Sequence, residues 1–534
     1  MPEYLYPGVY VEEIDTGNQP IEGVSTSITG FLGIAERGPL QPTLVTSYTE
    51  FVRNFGGYVQ INGVDSYLAY AVEGFFLNGG QEAFVARVAS STATPSNGSS
   101  GGLTVTAIGP GTWGSRIFFK IADAGSNDHT QFKLYIMYYQ TMPALTANGA
   151  PAGTLAADAP TPASSPLVVD PTLRDPVSLR DANRTEPTIT EVYDNLTANP
   201  NATSFYVTVV NNASTLVQLS QTAPGRPADT AAPIQLSPGS DGAAIALADF
   251  EGNPAALPGT RTGIAGLHDV DEISLLCCPD ENLFPQIAND LVAQCELRMD
   301  RFAILQSAFA AGPPANLFPS VPSKYAAFYY PWLNVTNPIT GRQIPIPSGG
   351  HVAGIYARSD NAIGVHKDPA NEPIMGINSL QFNLDDGTQA ILNPRGVDCH
   401  RYFRNNGNLV WGGRTTTSDP DWKYINVRRL FIFIEKSIKE GTQWAVFEPN
   451  DQTLWARIRR SVSDFLTGLW MDGMLMGAKK EQAFFVRCDQ TTMTQADIEN
   501  GRLIVIVGIA PVYPAEFVIF RIGLWDGGAS VSES

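Results

Sequence analysis

The sequence is poor in charge, in cysteine and in long apolar runs. Only 16% of its 534 residues are charged, against about 25% in typical globular proteins. Acidic side chains outnumber basic ones by 52 to 34, for a formal net charge of −18. This excess repels phosphate backbones and anionic bilayers, which disfavours a general nucleic-acid binder unless basic residues are strongly segregated. The large neutral fraction fits a surface that neighbouring molecules cover.

Long apolar runs and export signals are missing too. The longest run, Leu503 to Val512, has about half the ~20 residues that a bilayer requires. The start has no basic stretch followed by an apolar one, so we expect a soluble chain made in the cytoplasm. Five cysteines include the adjacent Cys277 and Cys278 but no C-x-x-C spacing. Buried, reduced thiols are therefore favoured over a disulfide framework or a zinc site.

Glycine and proline are abundant, at 49 and 39 residues, and unevenly placed. Three stretches, 90–102, 141–166 and 221–262, are rich in small residues and too poor in large apolar ones to build a core. They indicate an insertion within a larger body.

The body is predicted to be α/β. An apolar strand over Thr26 to Ile34 precedes Ser47-Tyr-Thr-Glu50, a capping box that begins a helix. Further on, Glu272 to Cys277 is typical of a strand, Leu283 to Arg298 of a helix and Phe302 to Leu305 of a second strand. These three form a βαβ-like unit.

The insertion is predicted to be rich in β-structure. Four of its segments carry β-branched and aromatic residues with turn signals between them: LTVTAI at 103–108, RIFFKIAD at 116–123, FKLYIMYY at 132–139 and SFYVTVVN at 204–211.

Two amphipathic helices and two strands are predicted near the end of the chain. Asp419 and Pro420 suit the start of a helix that Gly441 ends. A second helix is expected over about 450–470, followed by strands at 503–509 and 516–524.

Motifs for catalysis or cofactor binding are few. Gly109-Pro-Gly-Thr-Trp-Gly114 fits G-x-G-x-x-G, but a strand-like segment follows it where a nucleotide site needs a helix. A tight turn is favoured. His366 with Asp368, and Cys399 beside His400, are the other candidates, and structural roles are favoured for both pairs. We therefore expect no catalytic residue, no cofactor and no metal.

Basic residues gather in one region. From Lys423 to Arg460 there are eight, against four acidic residues. Lys436 and Lys439 lie off the apolar stripe of the first predicted helix, so they are expected to project outward. An ordinary solvated face is the alternative interpretation.

Both ends of the sequence carry isolated strands. Gly8 to Ile14 alternates like a strand and has no local partner, and Phe517 to Leu524 is a similar segment after Pro511 and Pro514. Each can pair with a sheet of its own molecule or of a neighbour.

The sequence resembles the contractile tail sheath proteins of bacteriophages, R-type bacteriocins and phage-like contractile injection systems. The resemblance is spread over nearly the whole length and rests on these segments: YPGVYVEEIDTGNQPIEGVSTSITGFLG, AIGPGTWGSR, GLHDVDEISLLCCPD, SGGHVAGIYARSDNAIGVHKDPAN, GVDCHRYFRNNGNLVWGGRTTTSDPDWKYINVRRLFIFIEKSI and TQADIENGRLIVIVGIAPVYPAEFVIFRI.

This resemblance implies a structural protein that polymerises helically around an inner tube and contracts to drive the tube through a target envelope. The implied partners are further copies in six-fold rings, the tube, a baseplate and terminal cap proteins, with no nucleic acid and no membrane insertion. Assembly in the bacterial cytoplasm is implied, for a virion tail or an injection particle. The implied strand-donating residues are Val9, Val11, Glu13, Phe517, Ile519 and Arg521.

The resemblance also implies a helix that faces the tube. Lys436 and Lys439 are the first candidates for this basic patch, and Arg459 and Arg460 the second. An α/β enzyme with a lid at 103–222 and a surface-lattice protein are the alternatives.

The expected domain organisation has four parts. They are an N-terminal arm (1–22), a discontinuous α/β core (23–90 and 236–515), a β-rich outer domain (91–235) and a C-terminal arm (516–534).

Overall fold

The chain forms two compact units in a computed structural model, which describes residues 20–61, 64–126, 128–143, 186–309 and 314–521. Ser25–Ala362 and Pro369–Lys423 make up the first, called the large unit below. Ile363–Asp368, the described residues from Tyr424 onward and those up to Val24 make up the second, the C-terminal unit.

The strands of the described residues are, in chain order, β1 Thr29–Ile34, β2 Thr43–Val45, β3 Gln60–Ile61, β4 Val64–Asp65, β5 Ala83–Val88, β6 Asn97–Ser100, β7 Leu103–Ala107, β8 Ile117–Asp123, β9 Phe132–Tyr138, β10 Ile189–Leu196, β11 Val217–Gln221, β12 Ile234–Gln235, β13 Leu275–Cys277, β14 Phe302–Gln306, β15 Ala326–Tyr330, β16 Leu333–Thr336, β17 Gln343–Ile346, β18 Glu372–Pro373, β19 Ser379–Leu380, β20 Val397–Phe403, β21 Gly407–Val410, β22 Phe484–Arg487 and β23 Ile506–Ile509.

The α-helices are α1 Tyr48–Phe55, α2 Leu68–Leu77, α3 Tyr206–Ala213, α4 Leu247–Glu251, α5 Gly263–His268, α6 Gln286–Arg298, α7 Gly349–Ala362, α8 Asp386–Leu392, α9 Ile425–Gly441, α10 Gln452–Met471, α11 Lys480–Ala483 and α12 Gln495–Glu499.

A nine-stranded sheet forms the centre of the large unit, in the order β18-β21-β20-β15-β14-β13-β1-β5-β2. Its inner strands pair in parallel, from β5 through β1, β13, β14 and β15 to β20. Every residue of β1 and β15 is buried, as expected for parallel strands covered on both faces. The predicted α/β class is confirmed.

The predicted βαβ-like unit is confirmed as well. β13 and β14 pair in parallel, with Leu275 opposite Phe302, and α6 connects them. Ile287, Leu291 and Cys295 of α6 are fully buried, because their spacing puts them on one face of the helix. The capping box at Ser47 begins α1, where the Ser47 hydroxyl accepts a hydrogen bond from the Glu50 amide at 3.2 Å.

Two antiparallel sheets, β10-β9-β8-β12 and β11-β7-β6, lie in the predicted insertion. Three of its four predicted strands are found as β7, β8 and β9. The prediction for SFYVTVVN is wrong, since Tyr206–Ala213 is the helix α3. Tyr206 and Val210 lie one helical turn apart and both enter the core shared by the two sheets, so packing overrides the β-propensity of the segment.

A cluster of ion pairs connects the insertion to Glu36 and Arg37, which follow strand β1. The Arg37 guanidinium lies 4.5 Å from the centre of the Tyr138 ring and donates to the Tyr138 hydroxyl at 3.2 Å. Burial alone would raise the pKa of Glu36, but Arg37 and Arg116 hold it below its usual value. The insertion is thus fixed in place by buried, charge-assisted contacts.

The C-terminal unit is built on α9 and α10. Their apolar faces meet in one core, to which Leu430, Ile434, Ile458 and Val462 contribute. Asp419 and Pro420 cap a short 3₁₀ helix, Pro420–Trp422, and α9 begins only at Ile425. α10 begins after Asp451, whose carboxylate accepts from the Leu454 amide at 2.8 Å.

Candidate subunit interface

The C-terminal unit carries a two-stranded antiparallel ribbon. β22 pairs with β23, with Phe484 opposite Ile509 and Arg487 opposite Ile506. Within the described part of the chain, neither strand pairs with a third. The outer edges therefore keep backbone N–H and C=O groups with which an incoming strand can form hydrogen bonds.

One face of the ribbon is covered by a single aromatic side chain. The Phe485 ring lies directly over Gly508, where a Cβ atom would come within 2.2 Å of it. Phe485 nevertheless remains 47% exposed, and the Arg487 guanidinium lies 5.2 Å from the centre of its ring. A glycine is required at 508 so that the aromatic ring can lie flat on the neighbouring strand.

The chain after β23 is anchored to the C-terminal unit and then leaves it. The Asn426 side chain donates to the Val512 carbonyl at 3.0 Å, and the Tyr424 hydroxyl donates to a Glu516 carboxylate oxygen at 3.0 Å. Beyond Glu516, Phe517 and Ile519 are 70% and 78% exposed. The described residues 517–521 form no strand with their own chain.

Four consecutive apolar side chains are thus presented to solvent: Phe517, Val518, Ile519 and Phe520. A monomeric protein rarely exposes such a continuous apolar patch, which usually marks an interaction site. The sequence-predicted residues Phe517, Ile519 and Arg521 all lie on this segment and are all exposed. Val9, Val11 and Glu13 lie outside the described residues.

The predicted basic patch is only partly exposed. Lys439 is exposed at the end of α9, but Lys436 is buried at 7% exposure. The expectation that Lys436 projects outward is therefore wrong. α9 is buried around much of its circumference, including Arg428 and Arg429, so position relative to the apolar stripe does not decide exposure there.

The second pair of basic candidates, Arg459 and Arg460, also differ from each other in exposure. Arg459 is half-buried and donates to the Cys488 carbonyl at 2.6 Å, which ties α10 to the residue that follows β22. Arg460 is largely exposed, and its nearest carboxylate is that of Asp464 at 3.8 Å. Lys439 and Arg460 are consequently the members of the predicted patch that are open to a partner.

The candidate nucleotide motif folds as a tight turn. Thr112–Arg116 is a short 3₁₀ helix and β8 follows at once. The Asp241 carboxylate accepts from the Thr112 amide and hydroxyl, both at 2.8 Å, so an acidic side chain occupies the place that a phosphate would need.

Cys399 and His400 are buried in β20. Burial raises the pKa of the Cys399 thiol to about 12. Burial and the neighbouring His351 lower the pKa of His400 to about 3. The pair is therefore a neutral thiol beside a neutral imidazole, which lacks the thiolate that nucleophilic catalysis requires. The other pair lies elsewhere: the His366 carbonyl accepts from Asn426 at 2.7 Å within the C-terminal unit.

Sequence reasoning missed β22, the partner strand of the ribbon. The signal is present, since Phe484 to Val486 are aromatic and β-branched residues, but the segment is short and follows several polar residues. Among the described residues, no group of three or more acidic, histidine or cysteine side chains has an arrangement suited to a metal ion. No helix in this part of the chain is both long and apolar enough to span a bilayer.

Two family models match adjoining stretches of the sequence. The phage tail sheath protein central domain matches residues 262–416, and the phage tail sheath C-terminal domain matches residues 417–524. The second stretch contains α9, α10, the ribbon and the anchored part of the C-terminal segment.

Similar curated proteins are tail sheath proteins. A putative prophage major tail sheath protein of Pseudomonas aeruginosa is 23% identical over 280 residues, which cover 50% of this chain and 70% of that protein. The tail sheath protein of Enterobacteria phage T4 is 26% identical over 200 residues, or 35% of this chain and 28% of that longer protein.

Solved structures share the fold over nearly the whole chain. The helical sheath of the anti-feeding prophage in its contracted state has a TM-score of 0.57 at 22% identity and covers 97% of this chain and 99% of that one. The PVC sheath complex of an extracellular contractile injection system, in its contracted state, has a TM-score of 0.56 at 21% identity. The match covers 98% of this chain and 98% of that one. With the central and C-terminal domain models matched in sequence order, residues 262–524 of this chain are tail sheath protein domains.

Proposed function

We propose that this chain is the repeating structural subunit of a contractile sheath, which polymerises helically around an inner tube and shortens to drive that tube through a cell envelope. The observation that carries the proposal is the apolar C-terminal segment, which leaves a folded unit that also holds a ribbon with free edges. The similar structures solved as contracted sheaths support it.

Strand donation is the proposed link between copies. In a donated strand, Phe517, Ile519 and Arg521 would lie on one face, because alternate residues of a strand point the same way. A head-to-tail link of this kind does not close on itself, so one chain type builds an open filament. The link is held by backbone hydrogen bonds, and the arm leaves each unit free to rotate while those bonds persist.

An N-terminal arm with Val9, Val11 and Glu13 is proposed to donate a second strand. This part of the proposal rests on the alternating sequence of residues 8–14 and on the resemblance to sheath proteins. Two arms per copy would link each subunit to more than one neighbour, which turns a filament into a mesh.

The tube is proposed to meet the exposed basic side chains of the C-terminal unit. Lys439 and Arg460 are the side chains that carry this proposal, with half-buried Arg459 beside them on α10. Lys436 is not included because it is buried. In a chain of net charge −18, exposed basic groups favour an acidic partner surface.

Contraction is proposed to draw on apolar surface that remains unburied in the extended polymer. At about 25 cal/mol per Å², an extra ~500 Å² of apolar burial per subunit contributes about 12 kcal/mol before entropic costs. This energy is stored in the polymer itself and adds up over its subunits, so no enzymatic activity, nucleotide or cofactor is part of the proposal.

The proposed setting follows from this role. Assembly takes place in the bacterial cytoplasm on a baseplate, in six-fold rings that a terminal protein caps. The finished particle is a virion tail or an injection device. Similar structures that contain a baseplate support the association with one.

Replacing the apolar face of the C-terminal arm tests the proposal. Phe517→Asp with Ile519→Asp is expected to abolish sheath-like polymers in electron micrographs, because two charges replace apolar groups on one side of the donated strand. Leu257→Asp is the matched control, since Leu257 is an exposed apolar residue of the large unit. Unchanged polymers from the arm variant would contradict strand donation.

Single prolines then separate strand pairing from simple apolar docking. Adjacent residues of an edge strand point their N–H groups in opposite directions, so only alternate residues donate to the acceptor. Val518→Pro and Ile519→Pro should therefore differ, with one blocking assembly and the other weakening it only slightly. Equal, mild effects would indicate apolar docking without strand pairing.

A further inference from the structure

The connection between α9 and α10 contains a turn with an unusual occupant. Ala445 to Glu448 form a β-turn, in which the Glu448 amide donates to the Ala445 carbonyl at 3.3 Å. Val446 has φ −69° and ψ 129°, and Phe447 has φ +69°. These are the angles of a type II turn, whose third position normally holds glycine because φ is positive there.

Among the described residues, no burial stabilises Phe447 in that position. Its side chain is fully exposed, and Val446 beside it is exposed as well. A bulky residue with positive φ is strained, and an exposed phenyl ring contributes no burial that could offset this strain. Strained residues of this kind cluster at functional sites, where the surrounding structure holds them in place.

The base of the turn is held firmly. The Arg457 guanidinium lies 4.4 Å from the centre of the Trp444 ring and 3.7 Å from the Glu448 carboxylate. The Asn450 side chain accepts from the Trp455 indole at 2.7 Å. These contacts hold the residues on either side of the tip, Val446 and Phe447, in place.

Asn450 also connects the turn to the segment before the ribbon strand β23. Asn450 also donates to the Arg502 carbonyl at 2.9 Å, and Arg502 lies four residues before β23 begins. Trp444 and Ala445 pack against the core that Leu503 and Val505 share. The base of the turn is thus tied to the segment that leads into β23, one of the two strands with a free edge.

We infer that Val446 and Phe447 form an apolar knob that receives the C-terminal arm of a second copy of this chain. This inference rests on the proposed strand donation. An arm lying along the free edge of β23 would bring its row of apolar side chains, Phe517 to Phe520, past the knob. The charge next to the tip, on Glu448, is paired with Arg457, so the tip suits an apolar segment.

Phe447→Gly separates the role of the side chain from that of the fold. Glycine suits the third position of the turn, so thermal stability of the unassembled chain should be unchanged or higher. The threshold concentration for polymer formation should nevertheless rise about tenfold or more, since the burial of one phenyl ring is lost. Phe447→Trp keeps an aromatic knob and should assemble near the normal threshold.

Cross-linking identifies the occupant of the knob. The five native cysteines are all buried, so new exposed thiols are the reactive ones. Phe447→Cys and Ile519→Cys chains, prepared separately and mixed during assembly, should form a disulfide-linked dimer under mild oxidation. Moving the arm cysteine to 517, 518 and 520 should map which residue faces the knob.

The outcomes distinguish the inference from the function on which it rests. Polymers from the Phe517→Asp and Ile519→Asp variant would show that strand donation fails. Loss of polymers in that variant, together with a normal threshold for Phe447→Gly and no cross-link at any arm position, would overturn the knob alone. Cross-linking of Phe447→Cys to the tube protein instead of the arm would also overturn it.

Discussion

The nine-stranded sheet of the large unit and the ribbon of the C-terminal unit differ in how their edge strands are protected. The nine-stranded sheet of the large unit ends in two very short antiparallel strands, β2 and β18, and β18 contains Pro373. Short edge strands and prolines are the usual protection against unwanted pairing. The ribbon of the C-terminal unit ends in β22 and β23, four residues each, without a proline in either.

This difference separates two tasks within one subunit. The large unit buries its sheet on both faces and closes it with its own strands, which yields a body that keeps its shape. The C-terminal unit leaves edges open and sends an apolar arm outward. Cohesion of the body and the proposed connection between copies therefore depend on different residues, and each can be altered separately.

The largest expected effect is a difference in folding stability between two variants, in which a phenylalanine of each sheet is replaced by alanine. Phe31 of β1 is fully buried and packs edge-on against Phe75 at 5.5 Å between ring centres, so Phe31→Ala should lower the free energy of unfolding by about 3–5 kcal/mol. Phe485→Ala, on the exposed ribbon, should lower it by about 1 kcal/mol. Denaturant titration of both variants measures the contrast, and equal losses would contradict it.

A buried acid should make the stability of the large unit depend on pH. Glu281 is fully buried, accepts from the Gln306 amide at 2.6 Å, and has a pKa raised by burial to about 8. Its ionisation is easier in the unfolded chain, with a pKa near 4.5, so stability is full below that value and is lost as pH rises to about 8.

Unfolding experiments at pH 6.5 and 8.5 should show a loss of about 2 kcal/mol in the parent chain. Glu281→Gln, which cannot ionise, should largely abolish that loss. This interval lies above the range of His351 and His400, whose pKa values burial lowers to about 4 and about 3. The same pH slope in both chains would exclude Glu281 as its cause.

The smallest expected effect concerns the exposed basic side chains. Lys439→Glu with Arg460→Glu should leave thermal stability unchanged but weaken co-sedimentation with the tube about two- to tenfold, because exposed ion pairs contribute little each. The loss should shrink at high salt. Glu440→Lys, a reversal of the opposite sign beside Lys439, is the control, and equal binding by all three chains would contradict a basic tube-facing patch.

Regular patterns made much of this fold predictable. The apolar strands of the large unit, the βαβ unit around α6, and the amphipathic helices α9 and α10 follow from periodicity, and the capping box at Ser47 marks the start of α1. The exposed arm at Phe517 and Ile519 was predictable because an apolar strand without a local partner must pair elsewhere.

Other features depend on contacts that no local pattern contains. α3 is a helix despite its β-branched residues because Tyr206 and Val210 enter a core made of distant strands. Lys436 is buried although it lies off the apolar stripe, because α9 is buried around much of its circumference. Phe447 escaped notice because its turn type is visible only in the backbone.

The hydrogen bond between Tyr424 and Glu516 anchors the start of the C-terminal arm. Residues 517–521 can reach about 17 Å when fully extended, so under the proposed strand donation their pairing site on a neighbour would lie within that radius of the anchor. Because backbone does not stretch, the same limit applies before and after shortening of the polymer. In that proposal, the distance that adjacent copies can move apart is set by a few residues of chain, whatever surfaces the bodies bring together.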